Sequence, residues 1–518
     1  MSKASTLCVA ELQDKPKSLM RDFYIYQLLS QGVSDKEAQT LLPLVKRLNA
    51  KLIKRFTPHI DAFKRKAYCK TLKDEALLGV AHDCVAIALP LSKASQMQAP
   101  LLENIASHIA LFNPNLNKEY TAIATHSWEA LLTLPPALLI ETFNKVTKNF
   151  RQTYYSHPLP KATLTKLTQE KQFPRMLEKI IRGHNTPLQK SLLDTNASQM
   201  KDATSHFLLA LNALRFDQKD LALSHLKIAQ ENAPYRLEKD KALFWRYLIS
   251  KDATLLETLI KSFDINIYSL YAFETLGKFP QNITYEIPTH AKTNAFDVSA
   301  PFGWVSFQEK IKQKKFKDKK AKEKWLLTQG DQAFTPHLSM LLYNYHDNKN
   351  YFLTPYERYL ESCAKKRKIL IYALARQESR FVPTAISSSY ALGVMQFMPF
   401  LAKDIAQKEG IEPFDYAQMF APKTALHFAN IHLDFLEKSF SHPLFIAYAY
   451  NAGIGFTKRN ITQKEYFKSE KYEPFWSLEM VPNAQARKYG KHILANYAIY
   501  AKRFGDPMTL RALFESLK

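Results

Sequence analysis

The sequence predicts an all-α protein built from successive helices. Its 518 residues include only 12 glycines, and 46% of them are hydrophobic. The small number of glycines argues against a turn-rich β fold, and the frequent Leu, Ala, Lys and Gln are good helix formers. A chain of this length is expected to form more than one domain and to bury large cores.

The first part of the chain has the pattern of stacked helical hairpins. Phe207, Leu211 and Leu214 recur at helical spacing, and further apolar stripes follow after short turns. Stacked hairpins of this kind build superhelical solenoids, although no strict repeat period is visible here. We therefore expect an α-superhelical domain over residues 1–278.

The composition changes beyond that domain. Three prolines lie between residues 279 and 308, and a lysine-rich run covers residues 310–324. Proline at this density ends helices and marks a domain boundary. We predict a small linker domain at 279–348 and a third domain at 349–518, which contains half of the glycines.

Charge and cysteine content limit the function only broadly. The formal net charge of +24 favours an anionic partner such as nucleic acid, a membrane surface or an acidic polymer. The four cysteines lack zinc-site spacing. Cys69 and Cys84 could pair in an oxidising compartment, but the sequence does not require it.

No apolar run reaches the roughly 18 residues of a membrane span. The first residues, 1–5, lack the apolar core of a signal peptide. From the residues alone, either the protein is cytosolic or a signal peptide is missing from this sequence.

Glu378 is the first candidate for chemistry. Leu370, Leu374 and Glu378 are spaced four apart, so they share one face of a predicted helix. Pro383 disfavours helix at Val382, so this helix should end just after Glu378. Burial and the negative end of the helix dipole then both favour a neutral carboxyl, which is what a general acid needs. Taken alone, a glutamate near a helix end is more commonly a solvated surface group.

Four short motifs follow in order after the helix. They are Glu378-Ser379 with Ser387, Gly393-Val394-Met395-Gln396-Phe397-Met398-Pro399, Ala449-Tyr450-Asn451-Ala452-Gly453, and Glu479-Met480-Val481-Pro482. Together they resemble the soluble lytic transglycosylases, which have a goose-type lysozyme-like catalytic domain. Each motif alone is weak, but the ordered set is specific. The resemblance covers residues 369–500, and the helical first half fits the family's ring-shaped superhelical domain in character only.

The resemblance implies a role for each matching residue. Glu378 would be the catalytic acid and then the base. The implied substrate contacts are Ser387, Gln396 and Met398 along the sugar subsites, Tyr450 at the reacting centre, Asn451 as its support, and Glu479 late in the groove. The same side chains could instead serve a polar turn, a helix start, the core or a helix end.

Two positions depart from the family pattern. Tyr390-Ala391 occupies the place of a usual Gly-Ala, so we expect the loop over the active site to differ in shape. Gln485-Ala486-Arg487 replaces a usual Glu-Thr-Arg, with Asn483 where Phe is common, which puts late groove contacts in doubt.

The implied reaction is cleavage of the β-1,4 bond between N-acetylmuramic acid and N-acetylglucosamine, with formation of 1,6-anhydromuramic ends. No Asp or Glu occurs between Ser379 and Lys403, and a single carboxyl suits a reaction without an enzymic nucleophile. More distant carboxylates, such as Asp404, Asp415 or Asp434, could still fold back to the site. The resemblance also implies a periplasmic monomer without cofactor or metal. It would act on peptidoglycan strands, with cell-wall synthesis or division proteins as candidate partners and no nucleic acid.

Two other functions remain open at this point. A muramidase would hydrolyse the same bond and would need a carboxylate that activates water. A basic helical scaffold that binds nucleic acid or protein would explain the charge and the solenoid, but it leaves the ordered motifs unexplained.

Overall fold

The computed structural model describes residues 7–183, 185–195, 200–343, 348–468 and 471–517. It is predominantly helical, which confirms the predicted all-α class. The chain forms two compact units, one of Met1–Ile60 with Ile260–Lys518 and one of Asp61–Leu259. The first 60 residues therefore group with the C-terminal part, whereas the three functional domains drawn from the sequence stay a prediction.

The unit of Asp61–Leu259 consists of short helices joined by tight turns. Its helices are Asp61–Thr71, His82–Ala88, Leu91–Ala94, Ala99–Ile109, Pro114–Ala124, Trp128–Leu132, Pro136–Lys145, Lys148–Tyr154, Lys161–Leu167, Phe173–Arg182, Thr186–Ser191, Ala203–Arg215, Lys219–Glu231, Arg236–Ser250 and Thr254–Leu259. Successive helices pack on one another, and the stripe of Phe207, Leu211 and Leu214 is buried, as predicted. The ring shape that the resemblance implies stays a prediction.

A disulfide joins the first two helices of this unit. Cys69 and Cys84 are bonded across a sequence separation of 15 residues. The sequence left this pairing open. The bond closes a loop that holds the helices Asp61–Thr71 and His82–Ala88 together.

The other unit begins with four helices, which we call the N-terminal arm (residues 7–60). They are Val9–Gln13, Leu19–Gln31, Asp35–Leu41 and Ala50–Phe56. Side-chain oxygens of Ser18, Ser34 and Asn49 cap three of them by accepting from backbone amides. The arm packs on the C-terminal part of its unit through contacts described below.

Within the described residues, the segment from Ile260 to residue 364 contains four α-helices, one small strand pair and irregular stretches between them. Its helices are Ile267–Thr275, Gly303–Gln313, Lys319–Leu327 and Thr335–Leu342. The strands Ile283–Thr284 and Asn350–Tyr351 pair in parallel, which the sequence did not predict because two residues carry no periodic signal. The sequence from Thr335-Pro336 to Asp347 favours a helix pair at 335–347. Its end, residues 344–347, lies outside the described residues.

The last part of the unit contains the predicted catalytic helices. They are Lys365–Ser379, Pro399–Lys408, Pro422–Glu437, Pro443–Ala452, Ile454–Thr457, Phe475–Met480, Ala484–Arg503 and Leu510–Glu515. Prolines that begin helices and glycines that follow them predict helices at 399–408, 422–440, 444–451 and 484–504. The structure confirms all four to within three residues. In the described part of the chain, no helix combines the length and apolar character of a membrane span.

Candidate active site

Glu378 lies in the last turn of the helix Lys365–Ser379, which we call the Glu378 helix. The helix ends at Ser379, as the sequence predicted, and Arg380 follows in the left-handed region. Leu370 and Leu374 on the same face are buried, so the carboxyl is carried to the edge of the core. Burial raises the pKa of Glu378 to about 7. A carboxyl with this pKa keeps a large protonated fraction near neutral pH.

One hydrogen bond holds the carboxyl in place. The hydroxyl of Tyr489 donates to Oε1 of Glu378 at 2.6 Å. This bond favours the ionised form and partly offsets the effect of burial on the Glu378 pKa. Among the described residues, no second carboxylate contributes to that pKa. Glu378 therefore stands as a single acid in an apolar, hydrogen-bonded setting.

Tyr489 reaches Glu378 because two helices approach closely. Tyr489 lies on the helix Ala484–Arg503, which we call the Tyr489 helix, and this helix packs on both the Glu378 helix and the helix Pro443–Ala452. Tyr448 lies on the helix Pro443–Ala452. A Cβ at Gly490 would lie 2.4 Å from a ring carbon of Tyr448, so only glycine lets the Tyr489 helix pack this closely on that helix.

Polar links fix the Tyr489 helix against the Glu378 helix. Nη1 of Arg376 donates to Oδ1 of Asn496 at 2.6 Å, and Nδ2 of Asn496 donates to the carbonyl of Ala373 at 3.1 Å. Nδ1 of His492 lies 2.7 Å from Oε1 of Gln377. These bonds set the rotation and register of the two helices, which aims Tyr489 at Glu378.

A turn-rich segment, residues 385–397, forms the next part of the site, and we call it the 385–397 loop. The hydroxyl of Ser379 donates to the carbonyl of Val394 at 2.7 Å, which ties the end of the Glu378 helix to this loop. Gly393 has φ +74, and a Cβ there would lie 2.0 Å from the carbonyl oxygen of Met419. The glycine of this motif is thus required by close packing.

Tyr450 joins the same loop to Glu378. Its hydroxyl donates to the carbonyl of Met395 at 2.8 Å. Burial raises the pKa of Tyr450 well above its usual range, and the nearby charge of Glu378 adds to this. Burial, the nearby charge of Glu378 and the phenol of Tyr450 in turn raise the pKa of Tyr489 well above its usual range. Glu378, Tyr450 and Tyr489 therefore form one cluster, in which Tyr489 makes the direct bond to the carboxyl.

The other predicted residues of the motifs lie on or next to the loop. The hydroxyl oxygen of Ser387 accepts from the amide of Ala391 at 2.9 Å, so it shapes a polar turn. Nε2 of Gln396 donates to the carbonyl of Gly393 at 3.0 Å, and Gln396 has φ +51. Met398 is half-buried directly before the helix Pro399–Lys408.

Two further predicted residues lie elsewhere. Asn451 is half-buried in the last turn of the helix Pro443–Ala452. Glu479 is only 2% exposed, and its Oε1 accepts from the hydroxyl of Tyr268 at 2.5 Å and from Nζ of Lys491 at 2.8 Å. The structure does not present Glu479 beside Glu378, and its substrate contact stays a prediction.

Sequence reasoning missed Tyr489. It lies two residues after Arg487, in the stretch where the sequence departs from the family pattern. The available signal was Gly490, a glycine inside a predicted helix, since such a glycine often marks close approach of a neighbour. No group of three or more His, Cys, Asp or Glu side chains is placed to hold a metal within the described ranges.

The fold and this cluster define a class of protein: a helical domain in which a tyrosine hydroxyl holds a partly buried carboxyl of raised pKa. Residues 359–473 match the family model described as Transglycosylase SLT domain. This match confirms the resemblance to the soluble lytic transglycosylases that the motifs carry.

Curated relatives are similar to part of this chain. The chain is 29% identical over 145 residues to the soluble lytic murein transglycosylase of Escherichia coli strain K12. The aligned residues cover 28% of this chain and 22% of the relative. It is 36% identical over 87 residues to the putative soluble lytic murein transglycosylase of Haemophilus influenzae, which covers 17% of this chain and 15% of the relative. The matches thus span about a fifth of the relatives' length.

Solved structures of two such enzymes are similar at low identity. The 70 kDa soluble lytic transglycosylase of Escherichia coli aligns with a TM-score of 0.49 and 17% identity, over 98% of this chain and 84% of that chain. An inactive mutant of lytic transglycosylase Slt from Pseudomonas aeruginosa gives a TM-score of 0.49 and 16% identity, over 95% and 83%.

Proposed function

We propose that this protein is a peptidoglycan lytic transglycosylase. It cleaves the β-1,4 bond between N-acetylmuramic acid and N-acetylglucosamine and leaves 1,6-anhydromuramic ends. The observation that carries the proposal is the single carboxyl of Glu378, whose pKa burial raises to about 7 and whose Oε1 is held by Tyr489. The SLT domain match over residues 359–473 supports the same reaction.

In the first step Glu378 acts as the acid. The Tyr489 hydroxyl donates to Oε1, so Oε1 is an acceptor and the proton of the neutral acid lies on Oε2. Oε2 delivers this proton to the glycosidic oxygen as the bond to the muramic C1 breaks. The N-acetyl group of the muramic acid stabilises the cation that develops at C1.

In the second step the Glu378 carboxylate acts as the base. It accepts the proton of the muramic 6-hydroxyl, whose oxygen bonds to C1 and closes the 1,6-anhydro ring. The Tyr489 hydrogen bond favours the carboxylate that exists between the two steps. One group thus returns to its starting protonation state, and water does not enter the product.

A muramidase is the second candidate function. It would need a carboxylate that activates water on the opposite face of the sugar. The SLT domain match over residues 359–473 favours the transglycosylase over the muramidase.

The substrate contacts follow from the motifs. Ser387, Gln396 and Met398 line the sugar subsites, Tyr450 lies at the reacting centre with Asn451 beside it, and Glu479 contacts substrate late in the groove. The location of Ser387, Gln396 and Met398 on or next to the 385–397 loop supports the first assignment.

The wider setting follows from the proposed activity. The substrate places the protein in the periplasm, where the net charge of +24 suits an acidic cell-wall polymer. Residues 1–278 orient long strands, 279–348 form the linker, and 349–518 hold the chemistry. The protein acts as a monomer, and cell-wall synthesis or division proteins are its candidate partners.

The test is mass spectrometry of products from purified sacculi digested in water enriched in heavy oxygen. The transglycosylase leaves 1,6-anhydromuramic ends that are lighter by one water than hydrolytic ends and carry no label. Labelled reducing ends as the major product would promote the muramidase. A folded Glu378→Gln variant is the matched control for contaminating activity.

A further inference from the structure

Tyr390 occupies a backbone conformation that favours glycine. Its φ is +65, and its side chain is fully buried. A bulky residue in the left-handed region is strained, and such strain persists only where surrounding contacts hold it. The residues that make those contacts therefore indicate the role of Tyr390.

The ring of Tyr390 packs against the N-terminal arm. Ring centroids of Phe23 and Tyr26, on the arm helix Leu19–Gln31, lie 5.6 and 5.4 Å from that of Tyr390. Nζ of Lys51 lies 5.8 Å from the same centroid. Three side chains of the arm therefore surround a ring that the 385–397 loop supplies.

Hydrogen bonds also join the arm to the turn at Ser388 and Ser389, next to Tyr390. Nδ2 of Asn49 donates to the carbonyl of Ser388 at 2.9 Å, and Nζ of Lys51 donates to the carbonyl of Ser389 at 2.8 Å. Oδ1 of Asn49 meanwhile caps the helix Ala50–Phe56 by accepting from the amide of Leu52. The cap fixes Asn49, so the arm presents a rigid donor to the loop.

The arm itself is braced at this point. The buried carboxylate of Asp22 accepts from the amides of Lys46 and Arg47 at 2.7 and 2.9 Å. Asp22 precedes Phe23 on one helix, and Lys46 and Arg47 precede Asn49. The aromatic and the polar contacts with the loop therefore come from one connected piece of the arm.

The loop transmits this position to the candidate site. The amide of Tyr390 donates to the carbonyl of Ser387 at 2.9 Å, and Leu392 and Phe397 exchange backbone bonds of 2.8 and 3.0 Å. Met395, between them in the chain, accepts from Tyr450. These bonds therefore link the turn that carries Ser387 to Met395 and, through Tyr450, to the residues around Glu378.

We propose that Tyr390 is a positioning residue: it docks the N-terminal arm onto the 385–397 loop and so sets the sugar-binding surface of the enzyme. The effect on sugar binding rests on the proposed function, whereas the docking of the arm does not. Because the ring acts on sugar binding and does not touch the reacting atoms, its loss raises KM for glycan strands and leaves kcat and its pH profile in place.

The test compares Tyr390→Gly with Tyr390→Phe in the full chain. Glycine suits the left-handed backbone, so a residue constrained only by its φ would tolerate it. Under our proposal Tyr390→Gly raises KM by about fivefold or more with kcat within about twofold, whereas Tyr390→Phe keeps the ring and behaves as wild type. An unchanged KM in Tyr390→Gly, or a fall in kcat alone, would overturn the proposal.

A variant of the arm tests the same contact from the other side. Asn49→Ser keeps a good helix cap but removes the donor to Ser388, so it should raise KM in the same direction as Tyr390→Gly. Combining the two should give less than the sum of the single effects, because both act through one contact. Fully additive effects would contradict the shared contact.

Hydrogen exchange without substrate separates this inference from the proposed function. The amides of Leu392 and Phe397 should lose protection in Tyr390→Gly and keep it in Tyr390→Phe. If wild type does not cleave glycan, the proposed function and the sugar-binding role fall together, while lost protection still supports the docking. Unchanged protection in Tyr390→Gly would overturn the docking even in an active enzyme.

Discussion

Replacing Tyr489 with phenylalanine should shift the pH profile of the enzyme upward. The Tyr489 hydroxyl donates to Glu378 and favours its ionised form, so the bond holds the pKa of Glu378 lower than burial alone would. Without the hydroxyl that pKa rises further above about 7. The acid step needs the protonated carboxyl, so activity falls as pH rises through this pKa, and the fall should begin at higher pH in the variant.

The size of the shift follows from the bond. A hydrogen bond to a charged group contributes about 1.5 to 3 kcal/mol, and a 2.6 Å bond to a buried carboxylate belongs in that class. One pKa unit corresponds to about 1.36 kcal/mol. The alkaline limb of kcat/KM should therefore move up by roughly one to two pH units.

The assay is kcat/KM against pH on isolated glycan strands, with anhydro products counted by mass spectrometry. Tyr450→Phe is the matched control, because that hydroxyl donates to the carbonyl of Met395 rather than to Glu378. Its alkaline limb should stay near that of wild type. A Tyr489→Phe limb that stays in place, or moves to lower pH, would refute Glu378 as the titrating acid.

Three further changes have definite expected outcomes. Glu378→Gln should lower kcat by about 10² to 10⁴. Because folding raises the pKa of Glu378 from 4.5 to about 7, wild type loses stability as pH rises through this window, so denaturant titrations should show the variant gaining up to about 3 kcal/mol between pH 4 and pH 8. A gain that does not depend on pH would contradict the buried acid. Replacing Cys69 and Cys84 with serine opens a closed loop of 15 residues and should cost about 3 kcal/mol in chemical unfolding, whereas equal midpoints with and without reductant would contradict this. An isolated fragment of 349–518 should cleave short muropeptides with a higher KM than the full chain, because it lacks the arm, and an equal KM would count against the docking role of the arm.

Local sequence patterns predicted the features that depend on neighbours along the chain. The helix ends at Ser379 because Pro383 prevents its continuation, and the spacing of Leu370 and Leu374 placed Glu378 at the edge of the core. The sequence also placed half of the glycines in residues 349–518, and the structure explains one of them, Gly393, by its close approach to Met419.

Contacts between distant segments could not be predicted in this way. Tyr489 meets Glu378 across a sequence separation of 111 residues, and no local pattern specifies which face of its helix turns toward the acid. Glu479 shows the converse. Its motif implied a substrate contact, but the chain folds Tyr268 and Lys491 onto its carboxylate.

Tyr390 combines both cases. The sequence identified it as a departure from the family pattern and predicted a change in loop shape, because a tyrosine replaces a glycine. The reason for the tolerance lies about 340 residues earlier in the chain, where Asn49 bonds to Ser388 at a separation of 339. Tyr390 has a backbone conformation that favours glycine, and contacts from the arm offset the resulting strain. The arm and the departure therefore depend on each other. A glycine at 390 would leave Phe23 and Tyr26 without the ring they pack against, and loss of the arm would leave a strained tyrosine exposed on the 385–397 loop.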